Sequence, residues 1–239
     1  AAAGLRPDGA RSGINEATIR QLHRGEFIDG ADNPYAYSVQ FGFVSGAVGV
    51  IFKVPPSTQA LANGPAFSLG LDIDTALAEL RATNATYTES ALQFMTPPNA
   101  TDLSPFKARG GKMIVYHGNS DPVFSVNDTI NWYEALNRNH DGKAADFARL
   151  FTVPGLNHCQ GGPATEQFDM LTALVNWVEK GQAPDSVRAT ARPGVNPDVP
   201  ATWQSNGTPR SRPLCPHPQV QRYAGGDVES AASFRCANP

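Results

Sequence analysis

The sequence predicts an α/β fold in its C-terminal half, and three observations lead to this prediction. A short apolar run at residues 113–116, with glycines on both sides, predicts a buried parallel strand, and a second run at residues 147–155 predicts another strand. An amphipathic segment of helical period follows each run. The composition, 41% hydrophobic and 17% charged, is that of a globular protein. Strand, helix, strand, helix is the order expected of an α/β sheet.

The N-terminal half gives weaker signals. Residues 15–25 predict a short helix, for which Gly25 supplies a C-terminal stop. The apolar stretch at residues 38–56 fits either a buried helix or a pair of strands, because its periodicity does not separate the two. Residues 72–84 have an acidic start and apolar residues along one side, which predicts a second helix.

The elements of the C-terminal half follow in order from residue 107. A strand is predicted at residues 110–118, a helix at 126–140, a second strand at 147–155 and a second helix at 164–181. The tail after Pro193 shows no periodicity, so we expect it to be irregular.

Charge and hydropathy exclude some partners. The formal net charge is −3, and the sequence contains no cluster of basic residues. Nucleic acid or an anionic membrane is therefore a poor candidate partner. The longest apolar run, residues 41–52, is short and interrupted by glycine, so no membrane span is predicted. The first thirteen residues contain neither an initiator methionine nor a signal-peptide pattern, and we expect a processed or partial chain.

Three cysteines suggest an oxidising compartment. Cys215 and Cys236 lie in a tail rich in proline, glycine and arginine, where a disulfide would replace a core; two unrelated thiols are the alternative. We therefore expect a secreted or periplasmic protein. Cys159 is left over, which indicates a partner cysteine outside the chain or a reactive thiol.

An acid and a base follow the two predicted strands. Asp121 lies just beyond the first strand and His158 just beyond the second. Since chemistry in open α/β sheets collects at the carboxyl edge, Asp121 could orient His158 as a general base. Their order along the chain is that of α/β-hydrolases. Each residue alone has an ordinary interpretation, a turn aspartate or a loop histidine; their joint placement favours catalysis.

The other histidines and a search for metal-binding motifs give weaker evidence of function. His117 ends the first strand and is interpreted as a packed strand residue that could help shape the site, while His140 is expected on a helix surface. HExxH, paired CxxC and EF-hand patterns are missing from the sequence, so we predict no metal or cofactor within this chain.

The nucleophile expected of such a hydrolase is missing. The sequence contains no G-x-S-x-G, and the nearest match is Ser68 in "AFSLG". A nucleophile elbow needs a preceding strand, which residues 60–67 do not predict, and too few residues precede Ser68 for the other strands. A small complete hydrolase that uses Ser68 remains an alternative.

From about residue 104 the chain closely resembles the C-terminal part of the tannase and feruloyl esterase family. The resemblance rests on "MIVYHGNSDPVFS", "ARLFTVPGLNHCQGGP", "FDMLTALVNWVEKGQAPD" and a tail from "RPLCPHPQVQRY" to "FRCA". It implies the C-terminal part of an α/β-hydrolase domain at residues 105–239. A looser match implies the later part of an inserted lid domain at residues 1–104.

The resemblance also implies roles for individual residues. Asp121 would be the triad acid, His158 the base, and Phe124 a border of the pocket for an aromatic acyl group. Cys159 would pair with a cysteine that directly precedes the nucleophilic serine, and Cys215 would pair with Cys236 in the tail. The family's Gly-x-Cys-Ser-x-Gly-Gly segment is missing here. The expected partner is therefore an N-terminal portion of the same enzyme, whose part of the lid could also hold a structural calcium.

The substrate follows from the expected pocket. An aromatic ester would stack between Phe124 and the lid residues Phe41 and Phe43, with Gln40 as a neutral polar contact. Between Asp29 and Phe52 there is no arginine or lysine to bind a substrate carboxylate, which favours phenolic esters over half-esters of dicarboxylic acids. The predicted function is a serine esterase for feruloyl, galloyl or terephthaloyl esters. The alternative of another class is a non-catalytic binding or scaffold fragment.

Overall fold

A computed structural model describes residues 45–239 of the chain. The chain divides into two compact units, residues 1–98 and 99–239. The predicted boundary at residue 104 falls at the first helix of the second unit. The predicted helix at residues 15–25 and the lid residues Gln40, Phe41 and Phe43 lie outside the described residues.

The described part of the first unit is built from short helices. They are α1 (Ala47–Ile51), α2 (Thr58–Ala62), α3 (Gly64–Leu69), α4 (Ile73–Glu79) and α5 (Ala91–Met95). From residue 45 onward, the apolar stretch that could have been helix or strands contains one short helix, Ala47–Ile51, between turns and bends. The predicted helix at 72–84 is present in shortened form as α4, whose N-cap Asp72 accepts a hydrogen bond from the Thr75 amide.

The second unit has the predicted α/β order. Helix α6 (Ser104–Ala108) leads into strand β1 (Met113–Gly118), helix α7 (Val126–Asn139), strand β2 (Ala148–Val153) and helix α8 (Met170–Lys180). Strands β1 and β2 are parallel, with Met113 opposite Ala148 and Gly118 opposite Val153. Since the strands are paired to their last residues, the loops that follow them start at one edge of the sheet.

Local signals set the ends of the helices. Ser125 caps α7, and Gly181, left-handed at φ 67°, ends α8. Helix α8 begins at Met170 rather than at residue 164 as predicted, because Gln167 exchanges backbone hydrogen bonds with Thr190 and Asp169 caps the helix. No helix within residues 45–239 has the length and hydropathy that a bilayer crossing requires.

The core of the second unit lies on both faces of β2. On one face Leu150 is fully buried with Leu136 and Phe147, and on the other Phe151 and Val153 pack with a second cluster. Burial of each such side chain contributes roughly 1.5–3 kcal/mol. Strand β2 is therefore a firm base for the loop that carries His158.

The tail is more regular than predicted. After β3 (Val187–Thr190) it forms the hairpin β4 (Gln204–Ser205) and β5 (Thr208–Pro209), then β6 (Ser211–Leu214), β7 (Val220–Tyr223) and β8 (Phe234–Ala237). Strand β6 pairs antiparallel with β3, and β7 with β8. The disulfide between Cys215 and Cys236 is present. The prediction of an irregular tail is wrong because strands of two to four residues are too short to show an alternating pattern.

Candidate active site

The loops that follow β1 and β2 are joined by backbone contacts. The Asn119 amide donates to the Val153 carbonyl at 2.9 Å, and the Ser120 amide donates to the Leu156 carbonyl at 3.0 Å. Gly118 allows this approach, since a Cβ there would lie 2.2 Å from the Leu156 oxygen. The loop that carries Asp121 and the loop that carries His158 are therefore held as one assembly.

Asp121 and His158 meet at this edge of the sheet. Nδ1 of His158 lies 2.8 Å from Oδ2 of Asp121, within hydrogen-bond distance. The other carboxylate oxygen, Oδ1, accepts the backbone N–H groups of Val123 at 2.7 Å and Phe124 at 3.1 Å. The Asp121 side chain is only 6% exposed, whereas that of His158 is 37% exposed. The carboxylate is thus buried and fixed, and the imidazole reaches the surface.

This geometry determines the tautomer of His158. Oδ2 of a carboxylate can only accept, so Nδ1 carries the proton that forms the hydrogen bond. In the neutral ring Nε2 then has a free lone pair, and no residue of the described chain forms a hydrogen bond to it. An imidazole oriented in this way by a buried carboxylate can take a proton from a hydroxyl group.

A buried carboxylate holds the first of the two glycines that follow His158. Glu166 Oε2 accepts the Gly161 amide at 2.8 Å. Its Oε1 accepts from Arg192 Nη2 at 2.9 Å and from Asn196 Nδ2 at 2.8 Å, and the side chain is 2% exposed. Sequence reasoning missed this residue, because Glu166 was placed inside the predicted helix at 164–181. Together these hydrogen bonds fix the path of the loop that carries His158.

An aromatic side chain borders His158. Phe124 is 60% exposed, and the centroid of its ring lies 5.6 Å from that of the His158 ring. Both residues line a cavity of about 210 Å³ whose other walls include Tyr116, Leu156 and Cys159. Phe124 therefore lies beside His158 with its ring available for stacking, and its role as a border of an acyl-group pocket stays a prediction.

The structure also places the other residues that the sequence singled out. Cys159 directly follows His158, is exposed, has a left-handed backbone at φ 67°, and is unpaired within this chain. Ser68 is exposed inside helix α3, where the nucleophile elbow would require a strand-to-helix turn. His140, expected on a helix surface, is instead buried against Phe147 and accepts the Leu103 amide. In the part of the chain that the structure describes, no three acidic, histidine or cysteine side chains cluster as metal ligands would.

Comparison with known proteins supports the family assignment. Residues 54–237 match the sequence profile of the family described as tannase and feruloyl esterase. The chain is 41% identical, over 244 aligned positions, to the mono(2-hydroxyethyl) terephthalate hydrolase of Piscinibacter sakaiensis. That alignment covers 97% of this chain but 37% of the hydrolase, so the chain spans little more than a third of this relative.

Two fungal proteins extend the comparison. A probable feruloyl esterase of Arthroderma benhamiae is 38% identical over 140 residues, which is 57% of this chain and 24% of that protein. The crystal structure of feruloyl esterase B from Aspergillus oryzae superposes with a TM-score of 0.57 at 20% identity, covering 99% of this chain and 48% of the other. The structural likeness shows the fold, and the profile match extends over most of the sequence. On this evidence the chain belongs to the tannase and feruloyl esterase family.

Proposed function

We propose that this chain supplies the acid and the base of a serine-type carboxylic ester hydrolase. In this proposal Asp121 is the acid, His158 is the base, and the nucleophilic serine lies in a segment outside this chain. The substrates are esters of aromatic acids, such as feruloyl, galloyl or terephthaloyl esters.

The hydrogen bond between His158 and Asp121 carries this proposal. It joins the two residues whose order along the chain fits α/β-hydrolases, at the ends of two paired parallel strands. It also sets the tautomer that a general base needs.

The reaction would proceed through an acyl-enzyme. The serine hydroxyl attacks the ester carbonyl while Nε2 of His158 takes its proton, and the resulting imidazolium, stabilised by Asp121, protonates the leaving alcohol. Water then attacks the acyl carbon while the same nitrogen takes its proton, and the imidazolium returns that proton to the serine oxygen as the aromatic acid leaves. An oxyanion hole for the tetrahedral intermediates would come from the segment that carries the serine.

Cys159 supports the placement of the serine. It directly follows the base, it is exposed, and the chain offers it no partner, since Cys215 and Cys236 are bonded to each other. We propose that Cys159 forms a disulfide with a cysteine next to the nucleophilic serine in the N-terminal portion of the same enzyme. Such a bond would tie the base loop to the nucleophile.

Phe124 and the family relatives guide the substrate proposal. The exposed ring beside His158 suits an aromatic acyl group. The sequence between residues 29 and 52 favours uncharged phenolic esters, whereas the relative from Piscinibacter sakaiensis acts by name on a terephthalate half-ester. Both types therefore stay within the proposed class, and rates on methyl ferulate and on a terephthalate half-ester would separate them.

The proposed location and lid follow from the same family. The disulfide between Cys215 and Cys236 would persist in an oxidising compartment, which favours a secreted or periplasmic protein. A structural calcium would belong to the portion of the lid outside this chain.

A fluorophosphonate probe tests the proposal, since it labels activated serines. We would treat this chain alone and this chain joined to the N-terminal portion, and then measure intact mass and labelled peptides under non-reducing conditions. We expect label only on a serine beside the cysteine bonded to Cys159. His158→Ala should lower turnover of the assembled enzyme by several orders of magnitude. Asp128→Asn, at an exposed acid in the first turn of α7, serves as the matched control.

Two outcomes would overturn the proposal. Label on Ser68 of this chain alone would favour the small complete hydrolase. Near-normal turnover in His158→Ala would remove the base assignment and leave a binding or scaffold role for the pair.

A further inference from the structure

A second histidine lies against the acid. His117, the penultimate residue of β1, is 13% exposed in its side chain. Its Nε2 lies 3.2 Å from the carbonyl oxygen of Phe124 and 3.3 Å from Oδ2 of Asp121. Its Nδ1 lies 2.8 Å from Oγ1 of Thr129, in the second turn of α7. His117 therefore connects strand β1 to the turn that follows Asp121 and to helix α7.

The contacts of His117 determine where its proton lies. A carbonyl oxygen and a carboxylate oxygen can only accept, and both lie beside Nε2, so Nε2 carries hydrogen. In the neutral ring Nδ1 then accepts from the Thr129 hydroxyl, which can rotate to donate. His117 and His158 thus hold opposite tautomers, and each directs an N–H group toward the Asp121 side of the site.

We propose that His117 is a positioning residue that fixes the acid turn, residues 121–124, and through it the base and the aromatic wall. This inference rests on the proposed function, because it assigns His117 a part in the same esterase reaction. It replaces the interpretation of His117 as a packed strand residue.

The hydrogen bonds of the acid turn explain why the position of His117 matters. Phe124 is held at both of its backbone groups: its N–H donates to Oδ1 of Asp121, and its carbonyl accepts from Nε2 of His117. The same Nε2–H lies beside Oδ2, the oxygen to which His158 donates. Loss of the His117 donor would free the end of the turn. The carboxylate and the Phe124 ring would then both be less well fixed against His158.

Two amide substitutions separate this role from polarity and volume. In His117→Gln the amide nitrogen can reach the place of Nε2 and keep a donor for the Phe124 carbonyl. In His117→Asn the amide reaches only the place of Nδ1, beside Thr129, and the Phe124 carbonyl loses its donor. We expect kcat of the assembled enzyme to fall about 10- to 100-fold in the Asn variant and to stay within about threefold in the Gln variant.

A buried histidine of the same unit supplies the control. His140→Gln removes a ring that packs on Phe147, and we expect it to lower the melting temperature without changing kcat. If His117 only filled space, the Gln and Asn variants would lose stability alike and show no difference in kcat. Equal kcat values for these two variants would therefore overturn the proposal.

The tautomers can be measured without any esterase activity. Long-range 1H–15N correlation spectra of this chain, at about pH 9 where imidazole is neutral, distinguish Nδ1–H from Nε2–H rings. We expect an Nε2–H signal for His117 and an Nδ1–H signal for His158. The His158 signal should exchange faster with water in His117→Asn but not in His117→Gln.

The two measurements also separate the two proposals. An assembled enzyme that hydrolyses no ester would refute the proposed function, and the spectra would still decide the role of His117. An Nδ1–H tautomer at His117, or a His158 signal that is equally protected in both variants, would overturn the positioning role even in an active esterase.

Discussion

Replacement of Asp121 by asparagine should invert the tautomer of His158. In the native site Oδ1 accepts two backbone N–H groups, at 2.7 and 3.1 Å, and Oδ2 accepts from His158 at 2.8 Å. The side-chain amide introduced by Asp121→Asn has only one oxygen. If that oxygen stays with the two backbone donors, the NH₂ group replaces Oδ2 and faces Nδ1 of His158. Nδ1 must then accept, so the proton of the neutral ring moves to Nε2.

The size of the effect follows from this arrangement. The opposite amide orientation would place NH₂ against the amides of Val123 and Phe124, at a cost of about 1–3 kcal/mol for each backbone donor left unpaired. The inverted tautomer is therefore favoured, and it blocks the lone pair that must accept the serine proton. Such an inversion lowers kcat by about 10⁴-fold, or about 5 kcal/mol of transition-state stabilisation.

Steady-state hydrolysis of an aromatic ester by the assembled enzyme measures this effect. Asp128→Asn makes the same chemical change at an exposed site on α7 and should leave kcat unaltered. The long-range 1H–15N spectrum of the Asp121→Asn variant should show His158 as the Nε2–H tautomer. A kcat within tenfold of the native value, or a ring that remains Nδ1–H, would refute the reasoning from the hydrogen bonds.

Three further substitutions test what stabilises the tail and the contact between the loops that follow β1 and β2. Cys236→Ser opens the bond to Cys215, 21 residues apart in sequence, and should lower the free energy of unfolding by about 3 kcal/mol in a denaturant titration. The hydrogen bonds from Arg210 hold the pKa of Glu229 below its ordinary 4.5. This pairing stabilises the fold above about pH 4.5 and is lost as pH falls, so Glu229→Gln should lose less stability than native protein between pH 7 and pH 3. Gly118→Ala should lower both melting temperature and turnover, because its Cβ clashes with a carbonyl of the base loop.

Each of these three predictions has an outcome that would contradict it. Equal unfolding midpoints with and without a reducing agent would show that the disulfide adds no stability. Parallel loss of stability in native and Glu229→Gln proteins at acid pH would remove the role of the ion pair. Native turnover in Gly118→Ala would mean that the two loops can separate without moving the base.

The contact between Asp121 and His158 could be predicted because it depends on short, local signals. Apolar runs bounded by glycine or proline mark β1 and β2, and parallel strands bring their carboxyl ends to one edge. Asp121 and His158 follow those ends within a few residues. Their contact therefore needed no knowledge of the rest of the chain.

The parts that could not be predicted depend on distant partners. Helix α8 starts late because Gln167 pairs with Thr190, which the helical pattern does not reveal. The sequence around Glu166 is typical of a helix and does not indicate its partner Arg192, which lies 26 residues later in the chain. His117 follows the same principle, since the Phe124 carbonyl that it binds has no sequence signature.

The arrangement of the two histidines also restricts where a nucleophile can stand. Nδ1 of His158 is held against the buried Asp121, and Nε2 lies on the other side of the same ring, so the basic lone pair faces away from the core. Both carboxylate oxygens of Asp121 already have partners, since Oδ1 accepts the amides of Val123 and Phe124 and Oδ2 lies beside His158 and His117. A serine that completes this site must therefore approach from the exposed side of His158, where Phe124 and Cys159 also lie. A segment tethered to Cys159 would reach that side directly, which is why we expect the disulfide partner of Cys159 and the serine to be neighbours in sequence.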